Sequence, residues 1–219
     1  MAIVLYNDWY ITENPGNSSA LGSSDVRSKQ PSEYQTYNAN KVYQYLSNIG
    51  FTKNAIAGIV GCMMTESFIC PTAIETKTYT SPPSNETMNS YTKGIGLVQW
   101  TSSGAPPQKL VNFCINYGRI WYDGDAQMFR IQREYETDIQ FNKWTIDGTY
   151  WTWEIFKNST ASPDVLAKAW DYCYEVSSHT ALAARQANAL YWYDNFGPVK
   201  GKFPIWLLLE ESNKRRLRR

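Results

Sequence analysis

An apolar helical stretch with one carboxylate on its buried face constrains this chain more than any other feature. Ile59, Met63 and Glu66 follow one another at i, i+4 and i+7, the spacing of a single helical stripe. Pro71 disfavours helical backbone in the residue before it, so Glu66 is predicted to lie in the last turn of the helix. There the carboxylate is poorly solvated and meets the negative end of the helix dipole. Both effects predict a raised pKa, which a proton donor needs near neutral pH.

Similar periodic patterns predict helices before and after this stretch. Thr52 is expected to cap the Glu66 helix, Gly50 to end the helix before it, and Ser162-Pro163 to begin a later one. Asp125 is expected to cap a further helix. The inward-facing residues predicted for the later helices are Leu110, Val111, Cys114 and Tyr117; Leu166, Ala169, Trp170 and Cys173; and Ala183, Ala187, Leu190 and Tyr191.

The two ends of the chain differ in composition from its middle. Residues 1–37 are rich in Ser, Asn, Gly and Pro and lack helical periodicity, so they are predicted to form an irregular arm. Residues 38–198 are predicted to form one compact domain. Residues 199–219 combine an apolar patch, Phe203 to Leu209, with a basic end, and are predicted to be a separate tail. The arm and the tail are candidates for docking a partner.

Composition excludes several classes of function. The formal net charge is +1 and the basic residues crowd the last positions, so the body of the chain is not expected to bind nucleic acid. No apolar run approaches the roughly 20 residues that a spanning helix needs, and the first residues do not form a secretory signal. The four dispersed cysteines are predicted to be buried free thiols. With His179 as the single histidine and no Cys-x-x-Cys pair, neither a metal nor a cofactor is expected.

A second motif, Gly94 to Trp100, follows a polar excursion that is predicted to form a small hairpin lobe. Gly94 and Gly96 carry no side chain that would block the approach of a ligand. Gln99 can bond to a sugar hydroxyl or acetamido group, and Trp100 can pack beneath a sugar ring. Alone, each motif is weak, because a glutamate at a helix end is often a surface residue and a Gly-x-Gly often marks only a turn.

Together, Glu-Ser-Phe-Ile-Cys-Pro and Gly-Ile-Gly-Leu-Val-Gln-Trp resemble the lysozyme-like superfamily and, over residues 38–193, the phage tail lysozyme family. The resemblance implies a mainly α, α+β fold in which a hairpin lobe lies beside a helical lobe. It implies cleavage of the glycan strands of bacterial peptidoglycan by a muramidase, with Glu66 as the acid and Gly94, Gly96, Gln99 and Trp100 lining the groove. It further implies a virion protein at the tail tip, made in the host cytoplasm, which contacts other tail proteins during genome entry.

Hydrolysis usually requires a second carboxylate about 5 to 9 Å from the acid. The candidates for it are Glu75, Glu86, Asp171 and Glu175. The resemblance covers Tyr174-Glu175 before Arg185, so of these four Glu175 is predicted to be a catalytic or supporting residue of the site. Val176-Ser177 stand where the family usually has arginine-proline, and Cys62 stands where it usually has asparagine. If no carboxylate lies beside Glu66, a lytic transglycosylase that uses the same acid becomes the better mechanism.

Two other classes stay open at this point. A cysteine amidase or endopeptidase requires a cysteine at a helix N-terminus beside a histidine, whereas Cys62 lies inside a predicted helix and His179 is predicted to lie on the surface. A glycan-binding structural tail protein without catalytic activity is favoured if Glu66 is salt-bridged and the groove is closed.

Overall fold

The structure is a computed structural model that describes residues 3–13, 23–101 and 110–197. Within these ranges it contains eight α-helices, one π-helical segment and two short antiparallel hairpins. In chain order the elements are β1 (Ile3–Tyr6), β2 (Trp9–Thr12), α1 (Glu33–Asn48), α2 (Lys53–Ser67), α3 (Asn85–Asn89), α4 (Leu110–Asn116), α5 (Gly124–Glu136), β3 (Thr145–Ile146), β4 (Thr149–Tyr150), α6 (Trp153–Asn158), α7 (Pro163–Trp170), the π-helical segment (Asp171–Glu175) and α8 (Leu182–Asn195). The predicted mainly α, α+β class is confirmed.

Helix α2 is the centre of the fold, and α7 and α8 pack directly against its backbone. A Cβ atom at Gly58 would lie 2.8 Å from the backbone carbon of Leu166 on α7. A Cβ atom at Gly61 would lie 2.6 Å from the backbone oxygen of Arg185 on α8. Because only glycine leaves room for such close approach, these two positions fix the distance between the central helix and its neighbours.

Both ends of α2 follow the sequence prediction. The hydroxyl of Thr52 accepts a hydrogen bond from the backbone N–H of Ala55 at 3.2 Å, which caps the start of the helix. Gly50 ends the preceding helix with a φ of 87°. Phe68 follows the last helical residue in the left-handed conformation, so the chain turns away before Pro71. Glu66 therefore lies in the last turn, as predicted.

Three details of the later helices differ from prediction. Tyr117 is 37% exposed instead of facing inward, since it lies beyond the end of α4. Helix α5 is capped by Asp123, whose carboxylate accepts from two backbone N–H groups, and not by Asp125. The stripe predicted for α8 is wrong, because Leu190 is exposed. The buried residues of α8 are Arg185, Asn188, Ala189 and Trp192.

The prediction of an irregular arm is wrong for part of residues 1–37. Strands β1 and β2 form a hairpin, and α1 begins at Glu33. Trp9 is fully buried, and its indole N–H donates to Asp125 on α5 at 2.8 Å. This long-range burial is invisible in the local pattern, because each strand has only four residues. The division into arm, domain and tail stays a prediction, and residues 199–219 lie outside the described residues.

The segment between Pro71 and Trp100, all of which the structure describes, contains no strand. Ile95 makes isolated bridges to Ile74 and to Trp100, and α3 is the one helix in the segment. The two hairpins of the fold lie elsewhere, at residues 3–12 and 145–150. The predicted small hairpin at this position is therefore wrong, because short polar turns held by single bridges replace the strands.

Burial also tests the predictions for the cysteines. Cys62, Cys70, Cys114 and Cys173 all lie in the described residues and are buried and free, as predicted. In the described ranges, no helix combines the length and the apolar composition that crossing a membrane requires.

Candidate active site

Glu66 projects from the last turn of α2 into a partly buried position. Its side chain is 21% exposed. Burial raises the pKa of Glu66 above that of a free glutamate, while the nearby Arg185 acts in the opposite direction. The predicted direction of the shift is confirmed, and burial is its largest cause.

Sequence reasoning named Arg185 as part of the family pattern but missed its contact with Glu66. It lies on the buried face of α8, and its Nη2 donates to Oε1 of Glu66 in an ion pair. Its Nη1 donates to Oδ1 of Asp171 and, at 2.7 Å, to the hydroxyl of Ser177. Arg185, Asn188, Ala189 and Trp192 follow the i, i+3, i+4, i+7 rule. An arginine on that stripe, with a tryptophan at its other end, is the signal that could have revealed the contact.

The π-helical segment supplies two further carboxylates. Asp171, its first residue, is fully buried, and Glu175 is its last residue. Glu175 accepts a hydrogen bond from the indole N–H of Trp170 at 2.9 Å. Burial raises the pKa of Glu175 well above its ordinary value, and the charge of Glu66 raises it further. The structure therefore places Glu175 near enough to Glu66 for the charge of Glu66 to affect its pKa. Glu175 ends a π-helical turn, a feature that is frequent at functional sites.

His179 is connected to this site, which the sequence did not predict. Its side chain is 31% exposed, and its Nδ1 lies 2.5 Å from Oδ2 of Asp171. Its ring stacks on Tyr172 with centroids 3.8 Å apart. The expected surface histidine is therefore a member of the hydrogen-bond network around Glu66.

The loop from Gly94 to Trp100 is anchored to the end of α2. The buried hydroxyl of Ser67 donates to the backbone oxygen of Leu97 at 2.7 Å. The buried side chain of Gln127 accepts from the N–H of Leu97 at 2.8 Å and donates to two backbone oxygens. These bonds hold the loop from Gly94 to Trp100 beside the C-terminal end of the Glu66 helix.

Gly94 and Gly96 are both buried, and the space beside them is filled by the protein itself. A Cβ atom at Gly94 would lie 2.7 Å from Oε1 of Gln99. One at Gly96 would lie 2.8 Å from Oε1 of Gln127, and Gly96 has a φ of 79°. The two glycines therefore make room for glutamine side chains and a left-handed turn, and not for the direct approach of a ligand.

Gln99 and Trp100 face a small cavity that Glu175 also lines. The cavity has a volume of about 80 Å³. Gln99 is partly exposed, and its amide donates to the backbone oxygen of Gly96 at 2.8 Å. Trp100 is 6% exposed, and its indole N–H donates to Glu134 at 3.2 Å. The loop thus borders the second glutamate, while most of the Trp100 ring belongs to the core.

Larger cavities exist, of about 410 and 450 Å³, but their described lining residues do not include Glu66 or Glu175. In the described part of the chain, no three His, Cys, Asp or Glu side chains are placed to hold a metal ion. Burial raises the pKa of the fully buried Cys62 well above its ordinary value, the opposite of an activated thiolate. Among the described residues, the carboxylates of Glu66, Asp171 and Glu175 are the acidic groups gathered around Arg185.

Comparison with known proteins agrees with this geometry. Residues 37–196 match the phage tail lysozyme family. The chain belongs to the phage tail lysozyme family. The match covers α1 to α8, and with them Glu66, Glu175 and the loop between Gly94 and Trp100. Membership confirms the resemblance found in the sequence and supports a lysozyme-type role in a phage tail.

The chain is also similar to the protein called Morphogenesis protein 1 of Bacillus phage B103. The two sequences are 32% identical over 158 residues, which is 72% of this chain. The chain spans 39% of the length of that relative. The family is therefore shown for the region around the site, and the relative contains a large additional part.

Proposed function

We propose that this chain is a muramidase that hydrolyses the glycan strands of bacterial peptidoglycan as part of a phage tail tip during genome entry. The observation that carries the proposal is the placement of Glu66 and Glu175 around Arg185, with Glu175 lining the cavity that Gln99 and Trp100 border. Burial raises the pKa of both carboxyl groups, and the charge of Glu66 raises the pKa of Glu175 further, so the site holds a proton at a higher pH than free glutamates would. Glycosidic cleavage requires such a protonated carboxyl beside an ionisable one.

Glu66 is the better proton donor of the two. Within the described ranges, Arg185 donates to its Oε1, and Oε2 is the oxygen that would carry the proton toward the leaving oxygen of the sugar. As the proton leaves, negative charge develops on Glu66, and the adjacent guanidinium stabilises it. Glu175 then serves as the base that activates water, or as the negative charge that stabilises the developing positive charge of the sugar.

The proposal predicts a large loss of activity for Glu66→Gln, which keeps the shape of the side chain but cannot donate the proton. Release of soluble muropeptides from purified cell walls is expected to fall by about 100- to 10,000-fold, while binding to the walls is retained. Glu33→Gln, at an exposed position on α1, is the matched control. Unchanged turnover by Glu66→Gln would rule out the enzyme proposal.

A lytic transglycosylase is the first alternative, and the partnership of Glu66 with Glu175 favours hydrolysis over it. Mass spectrometry of the products distinguishes them, because only a transglycosylase leaves anhydro ends. A reaction that leaves only anhydro ends would replace the muramidase proposal while keeping Glu66 as the acid.

A glycan-binding structural protein is the second alternative, and the ion pair between Glu66 and Arg185 favours it. Wild-type protein that binds cell walls and releases no muropeptides would support this alternative. Under either alternative, we propose that residues 1–37 or 199–219 contact other tail proteins.

A further inference from the structure

Four side chains link a partly exposed histidine to the proposed acid. The order is His179, Asp171, Arg185, Glu66, and the two middle members are almost fully buried. They come from four different segments: the loop after the π-helical segment, the segment itself, α8 and α2. The inference drawn from them rests on the proposed function, because it concerns the control of Glu66.

The two carboxylate oxygens of Asp171 contact different members of this series of four side chains. Oδ1 accepts from Nη1 of Arg185 and, at 2.6 Å, from the hydroxyl of Ser177. Oδ2 faces Nδ1 of His179. A fully buried carboxylate requires such donors, so the state of His179 affects how much of the charge of Asp171 is available to Arg185.

Arg185 transmits this effect because its guanidinium is a rigid fork. Asp171 and Ser177 hold the Nη1 arm, and Glu66 accepts from the Nη2 arm. The buried Nε of Arg185 has no hydrogen-bond partner in the part of the chain that the structure describes. The orientation of the fork therefore depends on the contacts of its two outer nitrogens.

We propose that Asp171 and His179 are positioning residues that control the proton on Glu66 through Arg185. When His179 is neutral, Asp171 offsets the charge of Arg185, and Glu66 keeps its proton. When His179 is protonated, Asp171 is shared between two cations, so Arg185 attracts the charge of Glu66 more strongly. The acid form of Glu66 is then depleted, and cleavage slows.

Glu66 and Glu175 also respond to pH, because burial raises the pKa of both, so the contribution of His179 is measured as the difference between the wild type and a variant without the imidazole. His179 faces Asp171 and the Tyr172 ring, and the Lys168 ammonium lies 5.9 Å from the centroid of that ring. Arg185 faces Cys62, Glu66, Asp171 and Glu175. Ordinary lysine and tyrosine side chains titrate well above the range of about pH 5 to 8 in which histidines normally change charge, and burial raises the pKa of Cys62 further from it.

The first test compares the pH dependence of kcat for four proteins. His179→Asn keeps a side-chain N–H donor but cannot be protonated, so its fall in kcat on the acid side is expected to begin at a lower pH than in the wild type. Asp171→Asn is expected to lower kcat by about 10- to 100-fold with little change in KM, since it frees the Arg185 fork. Ser178→Ala, an exposed neighbour in the same loop, is the control and should keep the wild-type profile.

The second test does not require activity, so it separates this inference from the proposed function. The Arg185 side-chain N–H signal is followed by nuclear magnetic resonance between about pH 5 and 8. It is expected to move further with pH in the wild type and in Ser178→Ala than in His179→Asn, where Glu66 and Glu175 supply the remaining response. An equal response in the wild type and in His179→Asn, or an unchanged acid limb in an active His179→Asn protein, would overturn the inference. Loss of catalysis alone, with the signal still responding, would instead contradict the muramidase proposal.

Discussion

Two buried clusters in this molecule pair an arginine with carboxylate groups, and they are balanced differently. Around Glu134, one carboxylate accepts from Arg130 at 2.8 Å, from Tyr174 at 2.5 Å and from Trp100 at 3.2 Å. Around Arg185, one guanidinium lies among three carboxylates, those of Glu66, Asp171 and Glu175.

The difference separates a structural cluster from a reactive one. Burial raises the pKa of Glu134 as it does that of Glu66 and Glu175, but Glu134 receives donors from Arg130, Tyr174 and Trp100, which fix its position. In the Arg185 cluster burial is again the largest cause of the raised pKa values, and the charge of Glu66 raises the pKa of Glu175 further. Three predictions test whether this distinction holds, beginning with the largest expected effect.

Removing Glu175 tests the reactive cluster. Glu175→Gln is expected to lower kcat by about 100- to 1,000-fold, because the site loses the ionisable partner of Glu66. The free energy of unfolding should not fall, since a buried carboxyl repelled by Glu66 has been replaced by a neutral amide. Steady-state kinetics and urea unfolding measure the two quantities. A stable variant with wild-type kcat would show that Glu175 is not part of the reaction.

Removing Glu134 tests the structural cluster. Glu134→Gln is expected to lower the free energy of unfolding by about 3–5 kcal/mol, because it leaves Arg130 buried without a counter-charge. The kcat of the folded fraction should stay close to that of the wild type. Glu136→Gln is the matched control on the same helix, because it breaks a half-exposed ion pair with Arg133 and should cost at most about 1 kcal/mol. Equal losses in the two variants would contradict the comparison.

Asp125 forms a third buried site, in which no arginine of the described residues affects the carboxylate. Its replacement gives the smallest expected effect. Burial is the main cause that raises the pKa of Asp125 to about 6, although Trp9 donates to it. The folded state therefore binds this proton more tightly than the unfolded state, and its contribution to stability is lost as pH rises through about 6.

Asp125→Asn removes this titration while keeping an oxygen that can accept from Trp9. At pH 7 it is expected to raise the free energy of unfolding by about 2 kcal/mol, with little change near pH 4. Urea unfolding at several pH values measures the effect. A stability of Asp125→Asn that still falls between pH 4 and about 6 would assign the pH dependence to another group.

Local spacing in the sequence was sufficient to predict the part of the site that lies on α2. The stripe of Ile59, Met63 and Glu66 and the stop at Pro71 predict a poorly solvated carboxylate at a helix end, and the structure has one. Resemblance to the family supplied Glu175, whose place beside Glu66 depends on the packing of distant segments. The roles of both residues stay predictions.

The remaining part of the site was not predictable in the same way. Arg185 reaches Glu66 only because α8 packs against α2, and no rule of local spacing relates two residues that are 119 positions apart. Trp9 was missed for the same reason, since its partners on α1 and α5 lie far along the chain. Gly94 and Gly96 were predicted to admit a ligand, whereas the structure places Gln99 and Gln127 in the space beside them, and these neighbours could not be identified from sequence.

The close packing at Gly61 has a genetic consequence. The position carries no functional group, yet a side chain there would press on the backbone of α8 at Arg185. A random screen for inactive proteins should therefore recover substitutions at Gly61 beside those at the charged residues. A smaller side chain at Ala189 should not restore activity, because the atoms nearest to a methyl group on residue 61, at 2.6 Å, are the backbone nitrogen of Ala189 and the backbone oxygen of Arg185.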